Sequence, residues 1–399
     1  MNAYVVGPDR TILPDLIRAF ALIGIVLVNV ALFAYPPETG YLAGGYRTDA
    51  DRTAEFVVTA FFALKSYALF SFMFGAGLGF QMAAAERAGA SFANRYRRRM
   101  IGLFVIGAAH AAFLFSGDIL MIYAILGSIL YAFRNAQPTR LIRVGVAVMV
   151  LQALIILAIA GLVALGETYA PEEMPDPETV SASTKQALAA FRDGGFWDAS
   201  AFRSMIAVST VMGGLLIQGF GAFAYFLFGL AAVKTGLINQ PAARLWTLAR
   251  RGLLVGVPLN LAGAALFMSA EVQMSSTTLL ALAMITAAGP FSAFGYAGLI
   301  AKLAETPPGP VRRFIARGGS ATLTAYLLQS LILSLVFSNY GLDLYAELGA
   351  AACIGVALAT GAASIVATSL WRSAFQRGPM EMLLRRFTYR GDGKTAPNS

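Results

Sequence analysis

Residues 144–166 read VGVAVMVLQALIILAIAGLVALG, twenty-three positions in which Gln152 is the single polar side chain and nothing is charged. As a helix this stretch is about 35 Å long, enough to cross a hydrocarbon core of about 30 Å. It shows no alternation of apolar and polar residues, so it does not read as a strand of a membrane barrel. In lipid only helices and closed barrels satisfy their own backbone polar groups. This one segment therefore points to an all-α membrane protein.

The rest of the chain agrees. Of 399 residues, 58% are hydrophobic and 13% charged, against about 25% charged in an ordinary soluble domain. Ten stretches reach or approach spanning length: 15–35, 55–82, 100–116, 119–134, 144–166, 205–233, 252–270, 277–302, 319–338 and 348–371. The expected fold is a polytopic membrane helix bundle of about ten transmembrane helices in a single integral membrane domain. The third and fourth stretches are short and share the turn Ser116-Gly117-Asp118, which reads as a helical hairpin. The sixth holds Gly213, Gly214, Gly219, Gly221 and Gly229, a pattern for close packing or a break. The Pro-rich run Thr306–Pro310 divides a body over 10–305 from a final two-helix unit over 319–371, followed by a basic tail over 372–399. The first apolar run is long and lacks a small-residue cleavage site, so it reads as a span rather than a signal peptide.

Charge sets the expected orientation. With alternate connections placed on one side, 24 of the 30 Lys and Arg fall in 1–18, 86–99, 134–143, 234–251, 302–317 and 372–399. Five fall on the other side, and Lys65 lies inside a span. Fifteen of the 21 acidic residues go to that other side, seven of them in the loop 167–203. Positive residues stay in the cytoplasm, so both termini are expected inside. The net charge of +9 is then an orientation signal, and no nucleic-acid partner is needed to explain it. The single Cys353 and single His110 exclude a disulfide framework and a multi-histidine metal site.

Polar groups within the spans are the functional candidates. Asp15 and Arg18 lie three residues apart on one face of the first helix. Asn29 follows Arg18 by eleven residues, on the same face and about 16 Å further along the axis. His110 follows Arg99 by the same spacing, behind the cluster Arg95, Arg97, Arg98 and Arg99. An imidazole at that depth suits a general base, and Asp118 at the outer turn is placed to orient it. The plain structural readings are an inter-helix hydrogen bond for His110 and Asn29, a positive-inside anchor for Arg18, and a helix N-cap for Asp118. Lys65 needs a partner or a wet cavity. Phe72-Met73-Phe74-Gly75 is echoed by Phe226-Leu227-Phe228-Gly229, and chance similarity between apolar helices accounts for it. No P-loop, dinucleotide fingerprint or zinc-protease helix motif is present.

Five ordered motifs carry a resemblance. They are Leu13-Pro14-Asp15-Leu16-Ile17-Arg18-Ala19-Phe20 running on to Val28-Asn29, then Leu69–Gly77, then His110 with Gly117-Asp118-Ile119-Leu120 and Tyr123-Ala124. Thr324–Ser330 and Gly378-Pro379-Met380-Glu381 with Leu384-Arg385-Arg386 and Thr388-Tyr389 complete the set. Over about residues 10–390 the chain resembles the bacterial YeiB-like membrane proteins, a domain-of-unknown-function family. That family is similar to a larger group of transmembrane acyltransferases, which includes bacterial sugar O-acetyltransferases and heparan-alpha-glucosaminide N-acetyltransferase.

The resemblance implies a multi-pass protein of the bacterial inner membrane. It implies a cytoplasmic acyl-CoA as co-substrate, no tightly bound cofactor, and a glycan, lipid or small-molecule acceptor at the outer side. The first helix departs from the acyltransferase pattern, because Asn29 stands where the O-acetyltransferases carry a histidine and an amide does not titrate near neutral pH. His110, behind Arg99, then becomes the expected base, with Asp118 orienting it and Asn29 available to the oxyanion. Arg18, Arg98 and Arg99, with Asp15 beside Arg18, are expected to meet the phosphates of acyl-CoA. The loop 167–203 is the expected acceptor lid. A transporter or permease remains open as the alternative, as does a non-catalytic envelope or signalling component. Gly-rich faces are compatible with a homodimer. The tail segment over 378–389 reads as an amphipathic basic helix, lying on the inner surface or packed on the bundle.

Overall fold

A computed structural model describes residues 11–89, 91–170, 177–270 and 275–390. The described residues form helices and turns, with no strand among them. The helices are α1 (Leu13–Ala34), α2 (Asp49–Phe61), α3 (Lys65–Arg87), α4 (Phe92–Phe113), α5 (Leu120–Leu130), α6 (Pro138–Tyr169), α7 (Pro177–Leu188), α8 (Phe196–Gly214) and α9 (Phe220–Lys234). They continue as α10 (Arg244–Arg251), α11 (Leu253–Met268), α12 (Ser276–Ala304), α13 (Pro310–Gly319), α14 (Thr322–Phe337), α15 (Ala350–Ala374) and α16 (Pro379–Thr388).

Seven continuous or gently broken rods are long and apolar enough to cross a bilayer: α1, α2–α3, α6, α8–α9, α10–α11, α12 and α15. An eighth forms if α13 and α14, which meet at 79°, count as one broken span. The chain is thus a multi-pass helical membrane protein. The other two of the ten expected stretches are helical but fall short for physical reasons. The helix α4 opens on four arginines, and the apolar helix over 120–133 is only about 20 Å long. The two pack against each other as the expected hairpin.

Two breaks come from backbone chemistry. Between α2 and α3, Leu64 adopts φ +62°, a left-handed conformation uncommon for a side-chain-bearing residue. Lys65, fully buried at this step, donates from Nζ to the Thr59 carbonyl at 3.1 Å. That bond satisfies a carbonyl freed by the broken helix. Between α8 and α9 the Gly-rich stretch widens into one π-type turn over Leu215–Gly219, and Gln152 of α6 donates to the Ile217 carbonyl there at 2.6 Å.

The centre of the bundle is the crossing of α3 and α9. There the two echoed motifs lie face to face. A methyl group on Gly75 would stand 2.0 Å from the Phe226 carbonyl oxygen, and one on Gly229 would stand 1.9 Å from that of Phe72. Each motif's glycine receives the other motif's first phenylalanine, and Phe74 stacks on Phe226 at 4.6 Å. The echo is therefore a reciprocal small-residue contact between backbones.

The two ends differ in chemistry. At one end gather the starts of α1, α4 and α14 and the segment 372–390. Gly319 abuts Asp15, Arg372 Nε donates to Ser320 Oγ at 2.9 Å, and Arg98 donates to the Arg390 carbonyl. The helix α16 packs against α4 and α14, burying Leu384 and Thr388 while Leu383 and Phe387 stay exposed. At the opposite end, Tyr35 donates to the Leu348 carbonyl at 2.7 Å and Arg192 pairs with Glu347 at 2.7 Å. Asp51 accepts the Ala351 amide at 2.8 Å, capping α15. Phe33, Phe115, Phe191, Phe337 and Tyr345 form an aromatic core at this end. The described part of the segment 167–203 is largely helical and contributes Phe191 to that core. Its residues 171–176, with three of its acidic side chains, lie outside the described residues, as do residues 1–10 and 391–399 of the two termini.

Candidate functional site

The site grows from α4. Its first turns carry Arg95 and Arg99, and its last turn carries His110. Beyond α4 the chain turns through Ser116 and Gly117, and Asp118 stands just before α5. Gly107 lets the turn fold back. A methyl group there would stand 2.6 Å from Asp118 Oδ2 and 2.8 Å from the Met121 nitrogen, so α4 and the start of α5 touch through it.

Asp118 performs both tasks expected of it, one with each oxygen. Oδ2 accepts the Met121 amide at 2.8 Å, which caps α5. Oδ1 lies 2.8 Å from His110 Nδ1. Both side chains are buried, His110 at 3% exposure and Asp118 at 2%. A carboxylate at Nδ1 places the proton on that nitrogen, so Nε2 presents its lone pair. Nε2 is buried and has no hydrogen-bond partner among the described residues. Phe115 and Tyr326 wall the ring, with centroids 6.1 and 5.0 Å away.

A cavity of about 230 Å³ opens at the arginine-rich end; Tyr326 of its wall packs on His110, while His110 and Asp118 themselves do not line it. Its deep walls are apolar or aromatic: Phe70, Met73, Leu103, Leu120, Tyr123 and Tyr326. Its neck holds Arg18, Arg99, Gln81 and Glu381. Gln81, Arg99, Ser320 and Glu381 are shared with a second cavity of about 320 Å³ that forms the mouth. The mouth adds Arg95, Arg372, Arg377 and Arg385, so five arginines face one glutamate there. That glutamate is already engaged. Glu381 accepts the Leu323 and Thr324 amides at 2.7 and 3.3 Å and the Thr324 hydroxyl at 2.6 Å, capping α14 from across the mouth.

Cation density is highest around the tail. The Tyr389 ring is flanked by the guanidiniums of Arg95 at 4.6 Å and Arg385 at 4.2 Å, within cation–π range. Partial burial, followed by the nearby charge of Arg385, holds the Arg377 pKa below its ordinary value. A surface with this balance favours an anion with several oxygens.

The structure brings together five of the seven residues expected from sequence. His110 and Asp118 form the dyad, Arg18 and Arg99 line the neck, and Asp15 holds Arg18 through a 2.8 Å ion pair. Arg98 points to the tail backbone and lines neither cavity, and Asn29 lines neither cavity. Reasoning from spans missed Tyr123, Tyr326, Gln81 and the tail arginines as members of one site. The signal was present in the motifs Tyr123-Ala124, Thr324–Ser330 and Gly378–Tyr389, which all converge on this funnel.

Comparison with known proteins places the chain. A family model described as a protein of unknown function, DUF418, matches residues 232–391. YxaH of Bacillus subtilis (strain 168) is 30% identical over 393 residues, covering 94% of this chain and 93% of that protein. YeiB of Escherichia coli (strain K12) is 26% identical over 405 residues, covering 96% and 98%. A 39.9 kDa protein from the amylase 3' region of Bacillus acidopullulyticus is 36% identical over 122 residues, 30% of this chain. No solved structure matches. On the strength of a relative matched along nearly its whole length, the chain belongs to the YeiB-like DUF418 family of membrane proteins.

Proposed function

We propose that this protein is a transmembrane acyltransferase that takes an acyl group from cytoplasmic acyl-CoA and passes it to a hydroxyl or amine acceptor at the other side of the bacterial inner membrane. One observation carries the reading. An arginine-lined mouth opens past a polar neck into an apolar shaft walled by Tyr326, and that ring packs 5.0 Å from His110 of a buried His–Asp dyad whose Nε2 has no partner among the described residues. The arginine-rich end faces the cytoplasm by the positive-inside rule, which puts both termini inside.

Each layer of the funnel suits one part of the donor. Arg95, Arg372, Arg377 and Arg385 meet the phosphates, with Tyr389 beside them as a flat ring. Arg18 and Arg99 stand at the neck, and the apolar shaft takes the pantetheine arm. The path from Arg99 to His110 is about 16 Å along α4, a length suited to a long thin arm. His110 Nε2 takes the acceptor's proton, and the Asp118 carboxylate stabilises the imidazolium that forms. The acceptor is a glycan, a lipid or a small molecule reaching His110 from the aromatic end.

The sharply broken span α13–α14 favours a second reading, since permeases place substrates at discontinuous helices. Binding of acetyl-CoA to protein in nanodiscs separates the two. The acyltransferase reading expects micromolar binding that weakens at least tenfold in Arg99→Ala and in Arg377→Ala. No binding of acetyl-CoA or longer acyl-CoAs by folded protein sinks it, and flux assays in proteoliposomes then test the permease.

A further inference from the structure

We propose that Tyr326 is a catalytic residue, donating a hydrogen bond from its hydroxyl to the thioester oxygen as that oxygen becomes an oxyanion. The inference rests on the acyltransferase reading and adds a residue that the His–Asp dyad does not supply.

Two neighbouring rings, Tyr326 in the wall of the shaft and His110 behind it, end in buried polar atoms without a hydrogen-bond partner among the described residues, His110 Nε2 and Tyr326 Oη. Their ring centroids are 5.0 Å apart, and Tyr326 is 1% exposed. The polar atoms around them are satisfied. Tyr123 Oη and Ser71 Oγ share a 2.6 Å hydrogen bond, Tyr96 Oη donates to the Gly127 carbonyl at 2.8 Å, and both Asp118 oxygens are engaged. The Tyr326 hydroxyl has no acceptor for its proton among the described residues. A buried polar group without a partner is costly, and two side by side call for a shared ligand.

The two groups are chemically complementary. His110 offers a lone pair and Tyr326 offers an O–H. Acyl transfer needs one of each: a base at the attacking atom and a donor at the carbonyl oxygen. As the acceptor oxygen or nitrogen bonds to the thioester carbon, its proton passes to His110 Nε2, and the carbonyl electron pair moves to the oxygen facing Tyr326. As the carbon–sulfur bond breaks, that pair returns and the thiolate takes the proton from His110. The products are the acylated acceptor and CoA thiol.

The fold fixes Tyr326 for this role. It lies about one turn into α14, whose first amides are held by Glu381 just past the 79° break. It also lines the shaft through which the donor would arrive, whereas Asn29, the residue expected from sequence to meet the oxyanion, lines neither cavity.

The test compares two ligands on wild type and Tyr326→Phe in nanodiscs. Acetyl-CoA reports ground-state binding. The S-trifluoroacetonyl analogue of CoA, whose hydrated ketone mimics the tetrahedral intermediate, reports the oxyanion contact. The phenylalanine keeps the ring packing, so the thermal midpoint and the acetyl-CoA affinity should stay within about twofold of wild type. Affinity for the trifluoromethyl ketone should fall at least tenfold, in keeping with the effect of removing one such donor. Equal loss for both ligands, or no loss for either, overturns the donor role while leaving the acyltransferase reading standing on wild-type binding. A wild type that binds neither ligand overturns the acyltransferase reading, and this inference with it.

Discussion

Replacing Asp118 with asparagine isolates the tautomer of His110 from the rest of the site. The amide is isosteric with the carboxylate, so its oxygen can keep the Met121 amide bond that caps α5. Its NH2 then faces His110 Nδ1 across the 2.8 Å contact and donates to it. The imidazole must move its proton to Nε2, where it can no longer accept one. Capping is preserved, so stability should change little, by about 1 kcal/mol at most. A comparable change in another His–Asp pair lowers turnover by about 10⁴, and a loss of about 10³ here corresponds to about 4 kcal/mol in the barrier. Because His110 is the single histidine of the chain, the tautomer can be read directly. Protein labelled with 15N-histidine in nanodiscs should show a protonated Nδ1 in wild type and a protonated Nε2 in Asp118→Asn. CoA release from acetyl-CoA, followed with a thiol dye, should fall in parallel. The same tautomer in both proteins would refute the orientation argument. A changed tautomer with release within threefold of wild type would refute the role of Nε2 as base.

Three further outcomes follow from packing. Gly107→Val should displace Asp118 and the start of α5, because even a methyl group there meets Oδ2 at 2.6 Å. Its thermal midpoint should fall by several degrees, and the histidine 15N shifts should move from their wild-type values. Gly75→Ala and Gly229→Ala press a methyl group to about 2 Å from a facing backbone oxygen. Each should cost roughly 1–3 kcal/mol, read as loss of folded protein in a detergent-stability series, whereas Gly161→Ala, with open space around it, should be neutral. Glu381→Ala removes the cap on α14, so it should cost about 1 kcal/mol and speed amide exchange at Leu323 and Thr324.

Much of the fold was legible from single stretches. An apolar run such as 144–166 has only one stable state in lipid, because its backbone must bond to itself. Charge asymmetry gave the expected orientation, since arginine is costly to carry across a bilayer. Helix periodicity put Arg99 and His110 on nearly one face, and the turn at Ser116–Asp118 brought the carboxylate within reach of the ring. These features are local, and local spacing fixes them.

What spacing could not decide is how separate helices meet. Whether Leu120–Leu130 crosses the membrane depends on its neighbours, since it is too short to do so alone. Arg98 and Arg99 are adjacent in sequence, yet one turns to the tail and the other to the funnel, a choice made by where α16 docks. Asn29 has the right spacing from Arg18, but the cavity forms between α3, α4, α5 and α14 and does not reach it. Tyr326 stands more than two hundred residues from His110 and meets it only because Glu381 and the sharp break at α14 set its register. The sequence by itself determined an all-helical membrane protein with a basic end and a poised histidine. Tertiary packing alone assembled the funnel, because its walls come from helices that share no periodicity, only a common neighbour.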